Sequence, residues 1–309
     1  MQRILAHVKP ERRDKELIYN PTYPIFWQRS MHFETIEQAL SIFIPWVTPV
    51  LKLSGLYQRG ARNAIDVQIT PLTVVDPQLP AGFDGFRLLF MSDLHIDGND
   101  ALIEPLCALL DTVDADVCLL GGDYRFRMHG NLRKVMDRFR EIVPHIHAKE
   151  GILGILGNHD SWEMIKPMER LGIVMLINES VDIERNGERI WILGVDDPHF
   201  YKCDDYHKAN RAIPEQAFRI LLAHSTNILA KFSDEPVSFC LCGHTHAGQI
   251  QLPIFGPIIT HSHFKGEFIY GRWQYRHISG YTSSGAGTSG VNVRYNTRSE
   301  LALITLRRQ

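Results

Sequence analysis

The chain has 309 residues, of which 44% are hydrophobic and 22% charged, proportions that exclude disordered, collagenous and fibrous classes. Its 33 Lys and Arg against 35 Asp and Glu leave a formal charge of -2, so no basic field exists to hold a nucleic-acid backbone, and no nucleic-acid partner is expected. Five cysteines, an odd number without a CxxC pair, fit a reducing compartment better than a disulfide framework.

Residues 1–62 read as a helical N-terminal extension, and residues 63–309 as a catalytic domain. Met1 to Asp14 carries charge and lacks the apolar stretch of a signal peptide. The uncharged stretch Gln38 to Leu51 spans 14 residues, ~21 Å as a helix against a hydrocarbon core of ~30 Å, so it is too short to cross a membrane. The cationic, aromatic-rich segment 36–57 either lies peripherally in a membrane interface or caps the main domain. Pro45 and Pro49 are expected to kink or break a helix there. These features predict a cytoplasmic location, free or on the inner face of the membrane.

From residue 64 the texture alternates between strand and helix. Leu88 to Met91, Val117 to Leu120, Ile152 to Leu156, Ile220 to Ala223 and Phe239 to Cys242 are short apolar runs, the pattern of strands covered on both faces. Cys240 and Cys242 read as core side chains within the last run. Helical patterns near 100–111 and 131–142 separate the first three runs and predict βαβ units. Asn186-Gly187 marks a hairpin, and Tyr275 to Leu306 reads as strands and Gly-rich turns.

Each apolar run is followed by residues able to bind a metal. The first leads to Ser92-Asp93-Leu94-His95, the second to Gly121-Gly122-Asp123, and the third to Gly157-Asn158-His159-Asp160. The fourth leads to His224-Ser225, and the fifth to Gly243-His244-Thr245-His246. Each piece alone is an ordinary turn or a core histidine. Five in the same phase predict one crevice at the carboxyl ends of the strands. Asp93 and His95, like His244 and His246, are two apart, so extended backbone would turn each pair to one side. The glycines at 121, 122, 157 and 243 permit tight turns and close approach. Carboxylate, imidazole and amide without thiolate suit Mn, Fe or Zn at a catalytic site rather than a zinc finger.

These five blocks, in this order, resemble the calcineurin-like metallophosphoesterases from about Leu79 to Leu306. Leu79-Pro80-Ala81-Gly82-Phe83-Asp84-Gly85, Gly248-Gln249-Ile250 and Gly287-Thr288-Ser289-Gly290 bring it nearest the YkuE-type branch. The resemblance implies a four-layered α/β/β/α sandwich of two mixed sheets and a centre of two divalent metal ions. It implies that Asp93, His95 and His246 hold one ion, that Asn158, His224 and His244 hold the other, and that Asp123 bridges them. His159 would lie outside the ligand set and protonate or stabilise the leaving oxygen. Asp160 is the candidate acidic partner of that histidine.

Two divalent ions, two carboxylates and a bridging hydroxide would leave the centre at +1, attractive to an anionic ester undergoing in-line displacement. Arg125 and Arg127 follow the bridging Asp123 and are candidate substrate-binding forks, with surface arginines as the plain alternative. The expected reaction is hydrolysis of a phosphodiester or pyrophosphate in a small phosphorylated substrate. A lipid-linked nucleotide such as UDP-2,3-diacylglucosamine is one candidate, and nucleotide or cyclic-nucleotide phosphodiesterase activity is the alternative. From a different class, the fold could serve as a non-catalytic binding scaffold.

Three further patterns carry less. His246 is followed by Ala247-Gly248-Gln249 rather than the continuation expected of metallo-β-lactamase-like HxHxDH, and amidohydrolase barrels place their His-x-His on the first strand. Gly285-Ala286-Gly287-Thr288-Ser289-Gly290 matches a dinucleotide fingerprint but precedes β-like Val291-Asn292-Val293, so it reads as a loop near the site. His261 and His263 form a second His-x-His pair in a turn-rich segment.

Overall fold

The computed structural model describes residues 8–18, 44–257, 259–260 and 262–309. Residues 36–43 of the expected amphipathic segment, and His261, lie outside the described residues.

Among the described residues three helices precede the first strand: α1 (Pro10–Ile18), α2 (Ile44–Leu53) and α3 (Tyr57–Ile65). The helix α2 runs through Pro49, against the expectation of a break. In so short a helix the missing proline N–H removes one hydrogen bond and leaves the rest of the backbone pattern available. No helix among the described residues is long and apolar enough to cross a membrane.

The strands form two six-stranded mixed sheets. In the first, β1 (Val67–Val75), β16 (Ser299–Arg307), β2 (Arg87–Met91), β4 (Val117–Leu120), β6 (Ile152–Gly154) and β7 (Ile173–Met175) lie in that order. β2, β4, β6 and β7 run parallel, so their carboxyl ends share one edge. In the second, the order is β14 (Gly271–Tyr275), β15 (Ile278–Thr282), β11 (Phe239–Cys242), β10 (Phe218–Leu222), β9 (Glu188–Gly194) and β8 (Glu179–Arg185). Here β15, β11, β10 and β9 are parallel. The hairpin between β8 and β9 turns on Asn186 and Gly187, both at positive φ, as the dipeptide predicts. Short pairs β3 (Asp114–Ala115) with β5 (His147–Ala148), and β12 (Gln251–Leu252) with β13 (Gly256–Pro257), complete the strands.

Period-two alternation builds the layers. Along β2, Leu88 and Phe90 face inward onto Ile190, Ile192, Ile220, Leu222 and Leu241 of the other sheet. Leu89 and Met91 face outward, beneath α4 (Ile103–Leu110), α5 (Arg133–Ile142) and α6 (Ile165–Arg170). The outer face of the second sheet, with Cys240 and Cys242 as core side chains, packs under α7 (Tyr206–Asn210). The layers are therefore helix, sheet, sheet, helix. Burying each Leu, Ile or Phe of these clusters contributes about 1.5–3 kcal/mol. All five cysteines are free thiols.

Candidate metal centre

The five loops anticipated from the sequence meet at the carboxyl edges of both sheets. Donor atoms of Asp93, His95 and His246 lie within 4.8 Å of one another, as do those of Asp123, His224 and His244. Asp123 ties the two groups together: its Oδ2 is 3.8 Å from His95 Nε2 and 3.2 Å from His224 Nε2. Asn158 Oδ1 is 3.1 Å from His224 Nε2. All seven expected ligands are buried in this one cluster.

The loops reach this arrangement through unusual backbone. Asp93, His95, Asp123, His244 and His246 all have positive φ, between 41° and 73°. The paired residues are thus brought together by left-handed turns rather than by extended chain. Each such residue costs about 1–2 kcal/mol, tolerated only where the surroundings over-determine it. Two glycines provide the room. A Cβ at Gly157 would stand 2.2 Å from Asp123 Oδ1, and one at Gly243 would stand 2.0 Å from Ser92 Oγ and 2.2 Å from Asp93 Oδ2. The segment 285–290 is a loop behind the ligands, where Gly287 N–H donates to the Asp93 carbonyl.

Hydrogen bonds fix which ring atoms face inward. His95 Nδ1 meets the Arg125 carbonyl and His224 Nδ1 meets the Gly121 carbonyl at 2.8 Å, so both carry the proton there. A neutral His95 then presents a lone pair at Nε2, 3.2 Å from His246 Nε2. His246 Nδ1 is buried without a hydrogen-bond partner. Burial, with His159 nearby, lowers His95 to about 3, and burial likewise lowers His246 well below the usual histidine range. Neutral imidazoles are the form a cation needs. Burial pushes Asp93 up to about 6. For His224, burial acts against the charged form, but Asp123 and Asp93 overcome it and raise the imidazole to about 10. A proton shared with Asp123 there does what a cation would do better. Carboxylates, an amide oxygen and imidazoles converging in a buried cleft, with the Nε2 atoms of His95 and His246 facing each other, fit divalent ions.

His159 is half-buried at the rim, with a donor atom within 4.8 Å of those of His95 and Asp123. Its Nδ1 lies 2.9 Å from the Phe126 carbonyl and its backbone N–H donates to Asp123 Oδ1. The orienting partner is therefore that carbonyl, not Asp160 as expected from adjacency. Asp160 is occupied elsewhere: its carboxylate accepts the backbone N–H groups of Asp123, Tyr124 and Gly157 at 2.8–2.9 Å. Arg125 is buried, donates to the Gly130 carbonyl, and has its Nε without a partner, whereas Arg127 is exposed. Arg125 also lines a cleft of about 240 Å³ with Arg13, Glu16, His129 and Trp162.

Residues not anticipated from the sequence support the centre. Arg294 is fully buried and donates to the carbonyls of His246, Ser284, Gly285 and Gly287. The His199 ring packs 4.2 Å from that of His244. The signal for His199 was present: β9 is followed by Val195-Asp196-Asp197-Pro198-His199, a sixth strand delivering polar groups to the same edge.

Residues 86–248, more than half of the chain, match the calcineurin-like phosphoesterase family. The Bacillus subtilis (strain 168) metallophosphoesterase YkuE is 29% identical over 253 residues, covering 78% of this chain and 86% of that protein. The Escherichia coli (strain K12) phosphodiesterase YaeI is 28% identical over 235 residues, covering 72% and 82%. A Danio rerio transmembrane protein with a metallophosphoesterase domain is 25% identical over 281 residues, covering 84% of this chain and 61% of that protein. Two mixed sheets, the ligand-bearing loops and the family match agree, and the chain belongs to the calcineurin-like metallophosphoesterases, hydrolases of phosphoester bonds.

Proposed function

We propose that this chain is a two-metal phosphohydrolase cleaving a phosphodiester or pyrophosphate bond in a small phosphorylated substrate. The observation that carries the reading is the single cluster of Asp93, His95, Asp123, Asn158, His224, His244 and His246 around facing lone pairs. Asp93, His95 and His246 would hold one divalent ion and Asn158, His224 and His244 the other, with Asp123 between the two groups. Such a pair supplies Lewis acidity and a water-derived nucleophile at neutral pH.

The protein's own groups do the rest. Asp123 and Asp93 set the negative charge of the cleft, and the imidazoles add ligands without adding charge. His159, with Nδ1 committed to the Phe126 carbonyl, keeps its other nitrogen for the leaving oxygen. Its partial exposure at the rim lets substrate reach it. Arg125, whose buried Nε has no partner, is the candidate to receive an anionic group of the substrate.

A lipid-linked nucleotide such as UDP-2,3-diacylglucosamine is the substrate class favoured by the surface. Trp46 (68% exposed) and Leu53 (90%) on α2, with Leu56, lie beside cationic Lys52 and Arg59. Tyr295 links that corner to the β12–β13 hairpin, donating its hydroxyl to the Leu56 carbonyl and pairing with Ile250. The hairpin tip exposes Ile254 and Phe255 (84%). Apolar tips with adjacent cations suit an anionic membrane surface, on which the chain would sit peripherally at the inner face.

Hydrolysis of bis(p-nitrophenyl) phosphate with added Mn tests the chemistry. Turnover with about two metal ions per chain by elemental analysis is expected. No turnover together with no bound metal would instead make the fold a binding scaffold. Flotation with anionic liposomes tests the surface, with Trp46→Ser and Leu53→Ser together expected to abolish it. A screen of UDP-lipids against nucleotides and cyclic nucleotides separates the substrate classes.

A further inference from the structure

The helix α1 sends a charged side chain into the interior. Arg12 is fully buried beneath the loop that follows β6. Its Nη2 donates to the carbonyls of Gly157 (3.2 Å) and Asp160 (2.7 Å), its Nη1 pairs with Asp196 beyond β9, and its Nε pairs with Glu16 at 3.0 Å. Glu16 in turn accepts from Ser161 Oγ at 2.8 Å and from the Trp162 N–H at 3.0 Å. The guanidinium also stacks 4.3 Å from the Tyr201 ring.

One turn of α1 thus grips the backbone at Gly157, Asp160 and Trp162 and the side chain of Ser161. Asn158 and His159 lie between those grips. The fork geometry of arginine matches two carbonyls and a carboxylate at once, whereas lysine offers a single point charge. A cation is costly to bury, and here the partners that offset the cost belong to the catalytic loop, to the segment after β9 that carries Asp196 and Tyr201, and to the helix itself.

We propose that Arg12, with Glu16, is a positioning element of the active site, holding the 157–162 loop so that His159 faces the leaving group. The inference rests on the reading of His159 as proton donor. It assigns a task to a segment that would otherwise be read as a cap, and separates that task from metal binding, because six of the seven ligands come from other loops.

The test compares the p-nitrophenyl and phenyl esters of one nucleoside monophosphate. Nitrophenolate leaves without help, while phenolate benefits from a proton, so loss of His159 alignment must raise the selectivity for the nitrophenyl ester. Arg12→Met is expected to cut kcat for the phenyl ester about 10²-fold and for the nitrophenyl ester only a few-fold, in folded protein with wild-type metal content. Arg12→Lys is expected to fall between, and Arg12→Gly to regain phenyl-ester turnover when guanidinium is added at non-denaturing concentration. Equal loss on both esters, or no loss, overturns the proposal. If Arg12→Met does not fold, Arg12→Lys and Glu16→Gln read the same selectivity. Wild-type protein that hydrolyses neither ester overturns the underlying reading instead. A His159→Ala enzyme without ester selectivity overturns only the role of that histidine and, with it, the positioning role.

Discussion

The loops of the two sheets contribute different chemistry to the centre. Those of the first sheet supply both carboxylates, Asp93 and Asp123, and the amide Asn158, together with His95 and His159. Those of the second supply imidazole alone, from His224, His244 and His246. The sheets are also cross-tied: His224 Nδ1 reaches the Gly121 carbonyl, and the His244 N–H donates to both oxygens of Asp93 at 3.0 Å. In the proposed two-metal site, one side would fix the charge and the other would complete the coordination. Losing the shared carboxylate Asp123 from the first should therefore release both ions, whereas losing an imidazole from the second should release one.

The largest effect tests that asymmetry directly. Asp123→Ala is expected to lose both metal ions and at least ~10³-fold in kcat/KM, since the bridge and half of the ligand charge go together. His246→Ala should keep the ion on the His224 side. Elemental analysis beside turnover checks both, and equal metal loss in the two variants would erase the distinction between the sheets. His159→Ala comes next: a loss of ~10²–10⁴-fold in turnover with metal content unchanged. If it strips the metals, His159 is a ligand and the assignment of roles is wrong.

Much of this asymmetry was legible in the chain because strand phase and ligand position are both local. An apolar run such as Val117 to Leu120 followed by Gly-Gly-Asp carries its strand, its turn and its ligand within seven residues. Repeating that reading five times gives one crevice, while the four-layered fold and the seven-residue ligand set come from the family resemblance that those blocks carry. The backbone that presents the ligands was not legible, because left-handed φ at Asp93 or His246 is imposed by tertiary packing rather than by residue type. Nor was the partner of His159: a main-chain carbonyl at Phe126 has no side-chain signature. Arg12 meets Asp196 across 184 positions, and Arg294 meets His246 across 48, with bonds mostly to carbonyls. Neither arginine stands in a pattern that distinguishes it from a solvated one. Their burial becomes visible only when the loops are assembled.

The smallest effects come from glycines and separate packing at the centre from ordinary turn geometry. At Gly243, beside the second sheet's ligands, an added methyl must displace Ser92 and Asp93 of the first sheet, so Gly243→Ala crosses the tie between them. It is expected to weaken metal binding by about 10–100-fold, the range seen when groups orienting a ligand are disturbed. Gly151, at φ +91° just before β6, has nothing within 4 Å of the position a Cβ would take. Gly151→Ala should therefore cost only the backbone strain of a left-handed residue, about 1–2 kcal/mol, and lower Tm by several degrees. Metal affinity and turnover should stay at wild-type values, measured by titration of the metal-free protein and by ester hydrolysis. A matching loss of metal affinity in Gly151→Ala would mean that the centre responds to global loosening rather than to the contact between the sheets.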